Sequence, residues 1–305
     1  MLTKQINKLV HTAAILLAGS LTLTTTQLIA QESEVSFNTT KVADHVYMLT
    51  GQGGFTGGNV GLTVGDDGVA MIDNGVPNVI EILRAEIAKT TDKPIDYLIN
   101  THIHGDHIGN NKHFGSEGAR IISHENLRAS LLKNGVGRGE KFEAAPPASV
   151  PVLTFSDQMT IHLNGDAAKI IHFSNAHTDG DAIVKFENAN IIHTGDLMFN
   201  GLFPFIDANN GGNITGVIAA LKGIAELSDD ATKIIPGHGP LASKTDVEKT
   251  VAMLEDAKEM VSKMVADGKT DEQILEANPL AKYQDYNWQF ITTETMTKQV
   301  IAGVR

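Results

Sequence analysis

Thr101-His102-Ile103-His104-Gly105-Asp106-His107 follows directly on the apolar run Tyr97-Leu98-Ile99, and its reading decides the rest of the chain. Three histidines and one aspartate fall within six residues. In an extended segment side chains alternate with period two, so His102 and His104 face the same side. Asp106 and His107 then turn toward a second, adjacent position. One short loop can therefore serve two metal ions. A merely polar turn has no need of four ligand-type residues at this spacing.

The flanking chain bounds the possibilities. Lys4 and Lys8 precede a short apolar run from Ala13 to Leu23, and Leu28-Ile29-Ala30 closes the segment. This pattern predicts a secretory signal over residues 1–30, cleaved after Ala30, and a periplasmic or secreted protein. The run is well short of the ~20 apolar residues that span a bilayer, so no stable membrane anchor is expected. The remaining chain, residues 31–305, is long enough for one domain with a large core. Without Lys4 and Lys8 the basic count falls from 24 to 22 against 36 acids, a formal net charge of about −14. Such a surface repels phosphate backbones, which excludes nucleic acid as an expected partner. The chain has no cysteine, so any metal must be held by His, Asp and similar ligands.

Alternating apolar patterns predict strands at Val46 to Leu49, Val60 to Val64, Val69 to Ile72, Ile95 to Ile99 and Ala119 to Ile122. Helical spacing covers Val79 to Ala88 and Asn126 to Leu132, and Gly135 to Val150 reads as a Gly/Pro-rich loop. Strands follow at Met159 to Leu163, Lys169 to Phe173, Ala182 to Phe186, Ile191 to Ile192 and Lys233 to Ile235. Asn213 caps an amphipathic helix carrying Ile214, Val217, Ile218, Leu221 and Ile224. From about residue 245 the chain turns helical. Thr245 with Glu248 reads as a capping box for a helix to about Ala266, Thr270 with Gln273 starts a shorter one, and Thr293 to Val300 a last one. Met253, Met260 and Met264 read as core. The two halves repeat one order: a hairpin ending in an aspartate (Asp73, Asp196), a helix, then a strand ending at histidine (His102, His238). Two sheets packed face to face with helices outside would align those strand ends. The expected class is α/β, an αβ/βα four-layer sandwich.

The motifs His102-x-His104-x-Asp106-His107, Ala176-His177-Thr178-Asp179-Gly180-Asp181, Thr194-Gly195-Asp196 and Pro236-Gly237-His238-Gly239, in that order, resemble the metallo-β-lactamase superfamily. The resemblance covers roughly residues 40 to 240. It implies that His102, His104 and His177 hold a first metal, that Asp106, His107 and His238 hold a second, and that Asp196 bridges them. Zinc suits such a donor set, with iron or manganese as alternatives. Three neutral imidazoles leave a fourth tetrahedral position open, as a catalytic zinc requires. Two zinc ions with Asp106, Asp196 and a hydroxide keep about one net positive charge, which suits an anionic small-molecule substrate.

The resemblance implies a dinuclear zinc hydrolase of β-lactamase type, cleaving a cyclic amide with a metal-bound hydroxide, with Asp106 orienting the nucleophile. Two departures point to promiscuous activity. Asp196 stands where one branch carries a zinc-binding cysteine, and Phe199 falls about where that branch carries a lysine for the substrate carboxylate. The alternative is a lactone, ester or thioester hydrolase using the same site. A non-catalytic zinc-binding protein is a third reading, and the open position on the first metal opposes it. Phe55, within a glycine-rich stretch from Gly51 to Gly58, is a candidate to close over an apolar substrate. Phe203 and Phe205 are candidates for a cleft wall. Asp73 is a candidate to orient a metal-binding histidine. His45, His113, His124, His162, His172 and His193 lack a partner motif and read as surface or core.

Overall fold

Period-two alternation sorts each strand into two faces, and in the central strands both faces are buried. The computed structural model describes residues 34–138 and 141–305, so the expected signal segment lies outside the described residues. The first sheet contains β1 (Ser36–Ala43), β2 (Val46–Gln52), β3 (Val60–Gly65), β4 (Gly68–Ile72), β5 (Tyr97–Ile99) and β6 (Arg120–His124). A small hairpin of β7 (Val136–Arg138) and β8 (Lys141–Glu143) follows, and β9 (Leu153–Phe155) then completes the first sheet in the order β1-β2-β3-β4-β5-β6-β9. The second sheet runs in sequence through β10 (Gln158–Leu163), β11 (Asp166–Phe173), β12 (Asp181–Phe186), β13 (Ile191–His193), β14 (Lys233–Ile235) and β15 (Ala242–Ser243).

Ile72, Ile99 and Ile122 point inward and meet Ala182, Val184, Phe186 and Ile235 of the second sheet in one core between the sheets. Their sequence neighbours Met71, Leu98 and Ile121 point outward onto Leu83 and Ile87 of helix α1 (Ile80–Ile87). On the other side, Ile183, Ile192 and Ile234 pack under helices. Two short helices, α2 (Gly105–Ile108) and α3 (Asn111–Ser116), and α4 (Glu125–Asn134) belong to the first half. The second half supplies α5 (Ile214–Glu226), α6 (Lys244–Ala266), α7 (Asp271–Ala277) and α8 (Thr293–Val304). The result is helix, sheet, sheet, helix: the α/β four-layer sandwich expected from the sequence. Strands buried on both faces read as near-continuous apolar runs, which is why they were legible.

Three local expectations differ. Strand β1 has no counterpart in the sequence reading: it is a half-exposed edge strand rich in Thr and Lys, with little apolar pattern. The stretch Gly135 to Val150 is not a plain loop, since it contains the β7–β8 hairpin. Helix α6 begins two residues earlier than Thr245 with Glu248 implies. Ser243 caps it, and its backbone N–H and hydroxyl both donate to the Asp246 carboxylate at 3.1 and 2.7 Å. Asn213 caps α5 and Thr270 caps α7 as expected. Among the described residues no helix is long and apolar enough to cross a membrane.

Strands β4, β5 and β6 run parallel, as do β13 and β14. Asp73 directly follows β4, the loop Thr101–His107 follows β5, Asp196 follows β13 and His238 follows β14. In α/β sheets the carboxyl ends of parallel strands form the crevice where ligands bind. His177 enters the same crevice from the connection between β11 and β12.

Candidate metal centre

The structure brings all seven sequence-selected ligands together. His102, His104, His177 and Asp196 form one group, and Asp106, His107 and His238 a second. Asp196 faces both. Its Oδ2 lies 3.7 Å from His102 Nε2 and 3.6 Å from His177 Nε2. Its Oδ1 lies 3.0 Å from His107 Nε2 and 3.4 Å from His238 Nε2. Asp106 Oδ2 closes the second group, 3.3 Å from His238 Nε2 and 3.7 Å from His107 Nε2.

The outward nitrogens of the rings explain what the inward ones can do. His104 Nε2–H donates to Asp207 Oδ2 at 2.8 Å, and His177 Nδ1–H to the Phe205 carbonyl at 2.7 Å. His107 Nδ1–H donates to Asp73 Oδ2 at 2.8 Å. His102 Nδ1–H meets Thr101 Oγ1 at 3.0 Å, and that hydroxyl donates onward to Asp73 Oδ2 at 2.7 Å. Acceptors on the outside fix the tautomer, so each neutral ring turns a lone pair inward. Lone pairs then face one another, as at His104 Nδ1 and His177 Nε2, 2.9 Å apart. His102 Nε2 and Asp196 Oδ1 are buried without a hydrogen-bond partner. Buried polar atoms of this kind call for an explanation, and a cation supplies it. The donor set, imidazole and carboxylate without thiolate, fits zinc or another borderline divalent metal.

The charges are balanced within the cluster. Burial disfavours charge on Asp196, but His107, His238 and His102 around it hold its carboxyl well below the ordinary range. Burial also opposes charge on His107 and His238. The neighbouring carboxylates, Asp196 foremost, nonetheless raise His107 well above its ordinary value and His238 to about 9. Burial, reinforced by adjacent imidazoles, lowers His102 well below its usual value and His177 to about 4. A cation binding here displaces the protons that the carboxylates hold on the rings.

Backbone geometry sets these atoms at close quarters. Asp73 is fully buried and adopts φ 59°, a left-handed conformation that aspartate tolerates better than most residues. It accepts the Thr101 backbone N–H at 2.9 Å in addition to the contacts above, so one carboxylate anchors the whole histidine loop. A Cβ at Gly58 would meet the His107 ring at 2.2 Å, and one at Gly237 would meet Asp196 Oδ1 at 2.0 Å. Glycine at these positions lets two loops approach the site.

The aromatic candidates divide. Phe55 is exposed and its ring stacks 6.4 Å from that of His238. Phe205 lies 5.6 Å from His104 and 5.8 Å from His177. Phe203 does not reach the cleft: it is fully buried in the helix-facing core, where apolar packing holds it. Phe199 is also buried, stacked 4.9 Å from His238. Three further residues escaped the sequence reading. Asp207 orients His104 while its Oδ1 accepts the backbone N–H of Asn209 and Asn210, so in sequence it looks like an ordinary turn aspartate. Trp288 and Phe290 come from the segment before α8, with Trp288 5.8 Å from His238 and Phe290 5.3 Å from Phe55. Of the histidines without a motif, His193 is buried in the core, and His124 stacks on His172 at 3.7 Å.

A sequence model described as the metallo-beta-lactamase superfamily matches residues 53–238. Beta-lactamase-like protein 2 homolog of Caenorhabditis elegans is 27% identical over 223 residues, covering 70% of this chain and 68% of that protein. A metallo-beta-lactamase from Pontibacter korlensis shares the fold with a TM-score of 0.61 at 18% identity, over 72% of this chain and all of that one (100%). The DIM-1 metallo-beta-lactamase superposes with a TM-score of 0.59 at 17% identity, over 73% of this chain and 100% of its own.

Proposed function

The chain belongs to the metallo-beta-lactamase superfamily of metal-dependent hydrolases, and we propose that it is a dinuclear zinc hydrolase that opens a cyclic amide of β-lactam type. The observation that supports this is Asp196, whose two carboxylate oxygens face one ligand group each. His102, His104 and His177 would hold one ion, Asp106, His107 and His238 the other, and Asp196 both. When bound, such ions supply Lewis acidity and bring the pKa of a water to about 7.

The protein's own groups do the rest. Asp106 is partly exposed at the cleft, and its carboxyl is held at about 2: burial raises it, but His107 and His238 more than offset this. It stays a carboxylate at neutral pH, able to orient an attacking water and take its proton. Asp73, Thr101, Asp207 and the Phe205 carbonyl keep the histidine lone pairs inward. Phe55 and Phe205 exclude water from the cleft mouth. The net positive charge of the loaded site favours an anionic substrate.

A lactone, ester or thioester substrate is the second reading. It is favoured by Phe199, whose buried ring on His238 offers no cation for a substrate carboxylate. Among the described residues no lysine or arginine forms an ion pair with Asp73, Asp106, Asp196 or Asp207. A hydrolysis panel of a chromogenic cephalosporin, acyl lactones and thioesters on protein with measured zinc content separates the two. No cephalosporin turnover with two zinc ions bound removes the first reading. Export by residues 1–30, and hence a periplasmic or secreted location, belongs to the same proposal and is tested by N-terminal sequencing of the mature protein.

A further inference from the structure

Four asparagines, Asn74, Asn100, Asn110 and Asn111, lie buried behind the histidine loop, none more than 3% exposed. Asparagine is seldom buried unless its amide finds partners, and these amides find one another. Asn111 is the hub. Its Oδ1 accepts from Asn74 Nδ2 at 2.7 Å and from Asn100 Nδ2 at 3.0 Å. Its Nδ2 donates to Asn100 Oδ1 at 2.7 Å and to the Ser149 carbonyl at 3.2 Å. Those bonds use the whole capacity of one amide group. Backbone groups fix their direction. The Asn110 backbone N–H can only donate, so the Asn74 atom 2.6 Å from it is the oxygen. Asn74 Nδ2 must then donate, which turns the Asn111 oxygen toward it and the Asn111 NH2 toward the Ser149 carbonyl.

The place of the cluster in the chain gives it a task. Asn100 precedes His102, and Asn110 and Asn111 follow His107. The reciprocal Asn100–Asn111 amide pair therefore closes into a ring the segment that carries His102, His104, Asp106 and His107. The two ends of that segment are held differently. The start continues from β5: the Asn100 N–H donates to the Ile122 carbonyl of β6 and the Thr101 N–H to Asp73, both at 2.9 Å. The end leaves α2 and is tied to the irregular stretch Asn74 to Val76. Asn74 N–H donates to the His107 carbonyl at 2.8 Å, Gly109 N–H to the Gly75 carbonyl at 3.1 Å, and Asn110 Nδ2 to the Asn74 and Val76 carbonyls at 2.7 and 2.9 Å. Through Asn111 alone is this end bonded, side chain to side chain, to both Asn74 and Asn100. Neutral amides do this without burying a further charge beside the ligands.

We propose that Asn111 is a positioning residue for the second ion: it holds Asp106 and His107 at a set distance from His102 and His104, and so makes the second ligand group competent. The inference deepens the dinuclear reading and rests on it. His102 and His104 stay registered by β5 and Asp73 when the hub is lost, whereas Asp106 and His107 do not.

Zinc titration against a chromophoric chelator tests this. In the parent two equivalents bind. In Asn111→Ala one weakens by about tenfold or more, the size of effect that lost outer partners have, and the other stays within about threefold. His238→Ala, which lacks a ligand of the second group, identifies the survivor: adding Asn111→Ala to it leaves the remaining equivalent within about threefold. Asn100→Ala breaks the same pair from the other side and shows the same selectivity. The double variant Asn100→Ala/Asn111→Ala is no weaker than Asn111→Ala by more than about threefold, because one substitution already opens the ring. Should Asn111→Ala lose the circular dichroism of the parent, Asn100→Ala carries the test, since Asn111 keeps its bonds to Asn74 and Ser149 there. A hub that serves stability alone lowers the urea midpoint of the metal-free protein and leaves both zinc affinities unchanged, which overturns the proposal. Equal weakening of both equivalents overturns it too, as does further weakening in the His238→Ala background. A parent that binds fewer than two equivalents removes the dinuclear reading itself, and this inference with it.

Discussion

Asp73→Asn separates the electronic role of this carboxylate from its backbone role. Asparagine matches aspartate in shape and tolerates the left-handed φ of 59°, so the turn after β4 survives. What changes is hydrogen-bond sign. The two carboxylate oxygens accept three N–H or O–H donors, from the Thr101 backbone, the Thr101 hydroxyl and His107 Nδ1. An amide has one acceptor oxygen. With its NH2 toward His107, two donors face each other, and the ring escapes by moving its proton to Nε2, the atom that faces Asp196. With its NH2 toward Thr101, the backbone anchor of the histidine loop is lost instead. In either orientation a metal ligand is mispositioned or protonated. Loss of such an outer partner weakens metal affinity by about 10–100-fold, or about 1.4–2.8 kcal/mol. Zinc titration against a chromophoric chelator should resolve two equivalents in the parent, and in Asp73→Asn at least one equivalent weakens by that factor. Circular dichroism checks that the fold persists. If both equivalents bind within threefold of the parent, Asp73 does not set the histidine tautomers and the account of the lone pairs is wrong.

Other outcomes follow from single contacts. Asp207→Asn keeps an acceptor for the Asn209 and Asn210 N–H groups but sets an amide N–H against His104, so one zinc equivalent weakens by about tenfold in the same titration. Gly58→Ala drives a methyl into the His107 ring, and zinc content and turnover both fall at least about tenfold; a variant with full zinc occupancy contradicts the packing. Zinc at about a thousand times its Kd stabilises the protein by about 4 kcal/mol, so a chelator lowers the melting temperature by roughly 10 °C in scanning calorimetry. His193 is buried and its pKa is lowered by burial to about 4. Above the unfolded value near 6.5 this residue has no effect on stability relative to that reference. As pH falls from about 6.5 to about 4, the unfolded chain takes a proton that the native ring refuses, and up to about 3 kcal/mol is lost. Urea midpoints of metal-free parent and His193→Gln should therefore diverge between pH 7 and pH 5 in their sensitivity, the parent losing more.

The difference between what the sequence discloses and what it hides follows from how narrowly chemistry restricts each position. A cation demands lone pairs from a few residue types, so His102, His104, Asp106 and His107 stand out even before folding, and the strands that carry them are apolar on both faces. Asp207 satisfies two demands at once, turn and histidine partner, and only the first leaves a local pattern. The start of α6 was misplaced by two residues because Ser243 with Asp246 and Thr245 with Glu248 fit the same capping pattern. Pairing of Ser243 with Lys233 across the sheet selects between them, and that is a long-range contact. Phe203 and Phe205 sit two apart and look alike in sequence, yet one is sealed in the core and the other lies against His104. Phe290 and Trp288 are the extreme case. A ring packed near His238 requires only apolar contact, which many residue types can supply from any segment that passes the cleft. No spacing rule announces it. The candidate metal ligands are therefore written in residue identities, whereas the aromatic rings beside His238 are written in tertiary placement.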